Sequence, residues 1–218
     1  MPKELLLFPF GGNAKEILTS IISINKSEHQ FEILGFIDDN PKTWGMDCCG
    51  VKVLGGTEIL EKHKNAFVLA VPGNPDHYLK RKEIISNLKW PMDRFATIID
   101  SSAHISPDAK IGYNTAIMQN VVISCEVSIG NHCIILPNTV IAHNSIVKDY
   151  CCIGSNVTVS GGVQIQDSCY IGSGSKIRDN LEIGNNSLIG LGSNVVRSVD
   201  QNLIIAGNPA KILRKVNL

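Results

Sequence analysis

From Ile99 to Val195 every sixth residue is isoleucine or valine. The pattern holds at positions 99, 105, 111, 117, 123, 129, 135, 141, 147, 153, 159, 165, 171, 177, 183, 189 and 195, with no residue inserted. An α-helix repeats near 3.6 residues and a strand at 2, so neither explains a period of six. A six-residue unit matches one short strand and a turn, and three units close one triangular coil of a β-helix. The aliphatic residue then points inward, and each coil buries it only against its neighbours.

The other phases agree. Two residues before the aliphatic position come small residues, among them Ala103, Thr115, Cys133, Thr139, Ser145, Cys151, Cys169, Ser175 and Ser187. Glycine follows it at 112, 130, 154, 172, 184 and 190, which suits a corner where a Cβ would clash or φ must be positive. Cys133, Cys151 and Cys169 stand eighteen apart and read as a packing column rather than a metal site. Asn120, Asn138 and Asn156 share that spacing and read as left-handed corners. The register ends at Val199-Asp200, and "QNLIIAGNPAKILRKVNL" reads as a closing segment.

The first hundred residues alternate strand and helix signals. "ELLLFPF" and "AFVLAVPG" are apolar runs suited to buried parallel strands, and "FEILGFIDD" is a third strand ending in aspartates. "GGNAKEILTSIISI" and "PDHYLKRKEIISNL" carry helical spacing, "TEILEKH" starts a helix with Thr57 as N-cap, "VKVLGG" is a short strand, and "RFATII" is a final strand. That order predicts a small Rossmann-like parallel sheet over residues 1–97, followed by the β-helix domain over 98–218. Ligands of such sheets bind at the carboxyl ends of the strands, here Gly11-Gly12, Asp38-Asp39 and Gly73-Asn74. "FPFGGNA" is not GxGxxG, so no dinucleotide is expected.

Composition excludes other classes. Lysine plus arginine equals aspartate plus glutamate at twenty each, so no basic field points to nucleic acid or an anionic membrane. No apolar run reaches the length of a membrane span or a signal peptide, so a soluble cytoplasmic protein is expected. Seven cysteines without a CxxC pair argue against disulfides and a closed zinc site. His104, His132 and His143 fall in three different phases of the repeat, so no metal-binding histidine column forms, and no metal is expected.

"FPFGGNAKE", "GFIDDN", "VPGNP", the repeat, "NTVIAHN" and "AGNPAKIL" occur in the order found in a family of bacterial sugar acetyltransferases, which the chain resembles along essentially its whole length. The family holds sialic acid O-acetyltransferases and N-acetyltransferases of nucleotide-linked 4-amino sugars (the NeuD/PglD type). The resemblance implies a left-handed β-helix, a homotrimer with active sites between neighbouring β-helices, acetyl-CoA as co-substrate and a role in surface polysaccharide biosynthesis. His143 matches the family's general base, and Gly161 matches the glycine whose N–H polarises the thioester carbonyl. Cys152, Gly154, Ser173, Gly190, Gly207, Pro209, Ala210 and Lys211 match the coenzyme groove, with Lys211, Arg214 and Lys215 available to its phosphates. Gly12, Asn13, Asp38, Asp39, Gly73 and Asn74 match the nucleotide-sugar pocket.

The chain departs from the family pattern at three positions. Asn144 replaces the usual Asp or Glu after the histidine, Cys152 a second histidine, and Asn13 the histidine of the glycine-rich loop. A residue eighteen earlier lies about 4.8 Å below in a parallel coil. Counting back from Asn144 gives Glu126, which is expected to orient His143 directly or through Asn144. The expected reaction is acetyl transfer to the amine of a nucleotide-linked amino sugar of the 4-amino-4,6-dideoxy type. The alternatives are transfer to a sugar hydroxyl, or a non-catalytic β-helix binding protein.

Overall fold

A computed structural model describes residues 1–217; Leu218, the last residue of the expected closing segment, lies outside them. A small α/β region leads into a long parallel left-handed β-helix. Five strands, β1 (Lys3–Phe8), β2 (Phe31–Ile37), β3 (Asp47–Cys48), β4 (Val51–Gly55) and β5 (Phe67–Ala70), form one sheet in the order β3-β4-β2-β1-β5. Every pairing is parallel except β3 with β4, so "VKVLGG" is both a sheet strand and a hairpin arm. Helix α1 (Gly12–Ser27) lays Ala14, Ile17, Leu18, Ile21 and Ile24 against the sheet. Helices α2 (Ile59–Lys62) and α3 (Arg81–Asn87) are shorter.

One expectation for this region is corrected and one holds in part. Thr57 caps no helix: its N–H is taken by Asp39 Oδ1 at 2.7 Å, and α2 begins after Glu58. "RFATII" divides in two: Phe95 forms a single parallel bridge to Val68 on β5, with the Ala96 N–H donating to Val68 O at 2.8 Å, and Ile98–Ile99 pairs with Ala116–Ile117 as the first strand of the β-helix.

The β-helix has three faces. Strands starting at residues 98, 116, 134, 152, 170 and 188 stack in the first, those at 104, 122, 140, 158, 176 and 194 in the second, and those at 110, 128, 146, 164 and 182 in the third. The hairpin of Leu203–Gly207 and Ala210–Lys215 extends the first face. From Ile117 to Val195 every aliphatic position is buried in one continuous core. Ile99 is 37% exposed, since no coil lies beneath it to complete its packing.

The corners explain the rest of the repeat. Two residues before the aliphatic, a hydroxyl or thiol donates to a carbonyl fifteen residues on: Thr139 to Gly154 O at 2.7 Å, Ser145 to Ser160 O at 3.0 Å, and Cys133 and Cys151 to Lys148 O and Gln166 O, each at 3.0 Å. The cysteine column is therefore a run of donors that satisfy buried corner carbonyls. Its burial pushes the Cys133 and Cys151 thiols well above their ordinary pKa. Of the two reasons offered for the glycines after the aliphatic, the clash holds. A Cβ at Gly154 would lie 2.4 Å from Ser173 N, and one at Gly130 would lie 2.8 Å from Lys148 C. The positive φ falls two residues later, at Asn120, Asn138 and Asn156 and also at Glu126 (φ 57°), His132 (φ 58°) and Asn144 (φ 60°).

The sheet domain packs on the first face. Its apolar core merges with Ala116, Met118, Ile134 and Cys152. Polar pins cross the same seam: Gln119 Nε2 to Ser20 Oγ at 2.8 Å and Tyr78 Oη to Asn186 O at 2.7 Å. Asn114 exchanges two hydrogen bonds with the backbone of Ala70, both at 2.7 Å, and its amide also faces His132 Nδ1 at 2.9 Å. The His132 ring stacks on Tyr150 at 4.7 Å between centroids and meets Phe95 edge-on. Burial is the main reason its pKa falls to about 4; Asp149 opposes the shift and Arg81 adds to it.

Because the folded state lowers this pKa, the unfolded chain binds the extra proton between pH 6.5 and about 4. Stability is intact above that window and falls as pH drops through it, by on the order of 3 kcal/mol. Denaturant melts from pH 7.5 to 4.5 should show a steeper loss for the wild type than for His132→Asn. Parallel slopes would count against this assignment.

Candidate functional site

His143 lies on the corner between the second and third faces, exposed, two residues beyond the inward Ile141. Its side chain reaches over the corner of the next coil. A Cβ on Gly161 would stand 2.5 Å from His143 Cε1 and 2.7 Å from Nε2. The absence of a side chain at 161 is thus what admits the ring. Gly162 N–H donates to His143 O at 2.9 Å and fixes the two coils in register. Among the described residues, no acceptor takes the Gly161 N–H. A shallow cleft here is lined by His143, Asn144, Gly161, Gly162, Asp179 and Asn180.

His143 Nδ1 lies 2.8 Å from Asn144 Oδ1, and Asn144 Nδ2 donates to Glu126 Oε2. The carboxylate decides how the amide lies: its NH₂ must face Glu126, so its oxygen faces the ring. The ring nitrogen toward Asn144 then carries the proton, and Nε2 keeps a lone pair directed away from the pair. Glu126 reaches His143 through Asn144, the indirect arm of the expectation. Asp108, one coil further down, was not singled out from the sequence. Its carboxylate accepts the Glu126 N–H at 2.8 Å and the Ser106 hydroxyl at 2.5 Å. Those bonds, led by Ser106, hold its pKa below the usual carboxylate range. The eighteen-residue count that gave Glu126 also gives Asp108, and counting forward from Gly161 and Gly162 gives Asp179 and Asn180.

The residues matched to the coenzyme groove divide among three places. Gly154, Ser173 and Gly190 line the corner between the first and second faces, across the second face from His143, and Ser173 Oγ accepts the Ser155 N–H at 3.1 Å. Gly207, Pro209, Ala210 and Lys211 form the turn and outer strand of the closing hairpin, where Arg214 and Lys215 are also exposed. Cys152 is the exception. It points outward from the first face but is buried under the sheet domain, beside Ile134 and Tyr170, and burial pushes its thiol up to about 11. No coenzyme groove on the exposed faces reaches it, so its assignment as a coenzyme contact is corrected.

The residues matched to the sugar-nucleotide pocket gather where β1, β2 and β5 end. Asn13 Nδ2 donates to Val71 O at 3.3 Å and to Gly73 O at 3.1 Å. Asp38 Oδ2 accepts the Phe10 N–H at 2.9 Å, and its Oδ1 accepts the Asn40 N–H at 2.8 Å. Asp39 holds the Thr57 N–H, and Asn74 Oδ1 takes the N–H groups of Asp76 at 3.0 Å and His77 at 2.9 Å. Gly12, Asn13, Asp38 and Gly73 are thereby brought together at the strand ends, with the uncapped N-terminus of α1 among them. The described residues hold no cluster of three or more metal-ligating side chains, and no helix is long and apolar enough to cross a membrane.

Residues 95–205, half of the chain, match the family described as the GMPPB C-terminal domain. The chain belongs to that family. The GMPPB C-terminal domain match covers the β-helix and leaves out the sheet domain. No curated protein matches. Solved structures cover both parts. The acetyltransferase domain of PglB from Neisseria gonorrhoeae FA1090 is 24% identical, with a TM-score of 0.86 over 97% of this chain and 100% of that one. PerB from Caulobacter crescentus in complex with CoA and GDP-perosamine is 23% identical, with a TM-score of 0.83 over 98% of each chain. WeeI from Acinetobacter baumannii AYE is 20% identical, with a TM-score of 0.74 over 98% of this chain and 100% of that one. The likeness establishes the fold, an α/β domain followed by a β-helix, across nearly the whole length.

The amide orientation has a direct readout. In ¹⁵N NMR spectra the neutral His143 ring should carry its proton on Nδ1. Glu126→Ala should turn this into a mixture of tautomers. A ring protonated on Nε2 in the wild type would contradict the geometry.

Proposed function

We propose that this chain is an acetyl-CoA-dependent N-acetyltransferase acting on a nucleotide-linked amino sugar of the 4-amino-4,6-dideoxy type. One observation carries the reading: an exposed histidine whose Nδ1 is held by the Asn144–Glu126 pair, with its other nitrogen free above the Gly161 backbone. That arrangement suits a base that takes a proton from an attacking group. The structural neighbour that holds CoA and GDP-perosamine supports both ligand classes. The loops at the ends of β1, β2 and β5 supply the acceptor's nucleotide site, by the general rule for parallel sheets.

The sugar amine attacks the thioester carbonyl carbon, forming the C–N bond, and its proton passes to His143 Nε2. The negative charge that develops on the carbonyl oxygen is met by the Gly161 N–H. The tetrahedral intermediate collapses with cleavage of the C–S bond, and the CoA sulfur takes the proton back from His143. No acyl-enzyme forms, and His143 ends in its starting state. An amine is already nucleophilic, so an amide-held histidine in place of a carboxylate-held one suffices.

In a homotrimer one protomer's His143 corner would face the next protomer's Gly154, Ser173 and Gly190 corner. Val140, beside His143 on the second face, is 37% exposed, which supports a contact there. Sedimentation velocity should give the mass of three chains.

Thiol release from acetyl-CoA, measured with UDP-, dTDP- and GDP-linked amino sugars, tests the reaction. His143→Ala should lower turnover by about 10² to 10⁴-fold. Glu126→Gln should lower it by about tenfold through loss of orientation, and unchanged turnover in that variant would rule out the relay. Release that does not depend on an acceptor amine would rule out N-acetylation.

A further inference from the structure

Arg81 is 1% exposed, and no carboxylate faces it among the described residues. Its partners are all carbonyl oxygens. Nη1 donates to Pro72 O, Nη2 to His132 O at 2.5 Å, and Nε to Tyr150 O at 3.2 Å. A guanidinium taken out of water without an anion is costly, and an apolar residue would fill the same space with less penalty. What an apolar residue cannot do is hold three carbonyls at fixed angles, as a rigid planar fork can.

Those carbonyls belong to different parts of the fold. Pro72 lies in the loop that leaves β5, whereas His132 and Tyr150 lie on successive coils of the β-helix. Asn13 already holds the carbonyls on either side of Pro72, those of Val71 and Gly73. Three consecutive carbonyls of one loop are therefore gripped by two side chains. Gly73 makes room for this: its φ is +152°, and a Cβ there would stand 2.7 Å from Arg81 Nη1.

We infer that Arg81 is the positioning residue for residues 71–74, setting that loop in register with the β-helix that carries His143. It touches no substrate and acts through the Pro72 carbonyl. This rests on the proposed function, in which the loop forms part of the acceptor's nucleotide site. A loop tied only to its own sheet would move with that sheet. Tied through Arg81 to the 132 and 150 corners, it keeps a fixed place relative to the β-helix coils.

Arg81→Lys in the full chain tests this, because one ammonium cannot reach three diverging carbonyls. Hydrogen exchange of the amides between residues 73 and 77 should rise by about tenfold, with exchange in the β-helix coils unchanged. KM for the nucleotide amino sugar should rise by about tenfold, while KM for acetyl-CoA stays the same. If Arg81→Lys loosens the whole chain, Arg81→Met fills the same space without a buried charge and should give the same local pattern. Wild-type exchange in the loop of both variants would overturn the inference. So would equal rises in both KM values, or a fall in kcat alone. If the wild type turns over no nucleotide sugar, the proposed function fails, and the exchange comparison still decides whether Arg81 holds the loop.

Discussion

The structure depends on one constraint: a parallel ladder in which each residue sits directly above the one eighteen before it. Parallel pairing within a coil is impossible over so few residues, so each two-residue strand is stabilised only by the coils above and below. That makes the core cooperative along the axis. It also makes the corners decisive. From Asn114 to Gly192 each corner must turn the chain through a left-handed residue, leave space for the next backbone, and satisfy carbonyls that no strand pairs with. Asparagine, glycine and a small donor side chain meet those three demands in turn.

The candidate site uses the same constraint. Asp108, Glu126, Asn144 and Gly162 occupy one corner phase in successive coils, with His143 and Gly161 one residue earlier. Side chains far apart in sequence therefore meet without a long loop to hold them. A carboxylate reaches the histidine from the coil below, with an amide between. An amide at 144 keeps the negative charge one step from the ring while joining the two in a line of hydrogen bonds.

Whatever follows the eighteen-residue count was legible in the sequence: the β-helix, its inward positions, the cysteine and asparagine columns, and Glu126 beneath Asn144. What crosses between the two parts was not. Arg81 lies in an ordinary amphipathic stretch, and His132 is one corner residue among many; only the docking of the sheet domain buries them. Cys152 illustrates the same limit. The family resemblance implies a coenzyme contact there, and nothing local says that the outward side of the first face is covered. "RFATII" serves both parts, bridging β5 at Phe95 and opening the first coil at Ile98, a division that six apolar-rich residues do not reveal.

The distribution of thiols follows from this architecture. Cys133, Cys151 and Cys169 lie inside the coil, Cys152 lies under the domain seam, and Cys49 and Cys125 face solvent. An alkylating reagent would therefore meet the chain in layers. Surface sulfurs would be modified in the intact protein, Cys152 once the sheet domain lifts from the first face, and the inner column only when the coils themselves separate. The order of modification would distinguish undocking of the sheet domain from unwinding of the β-helix, with no engineered probe.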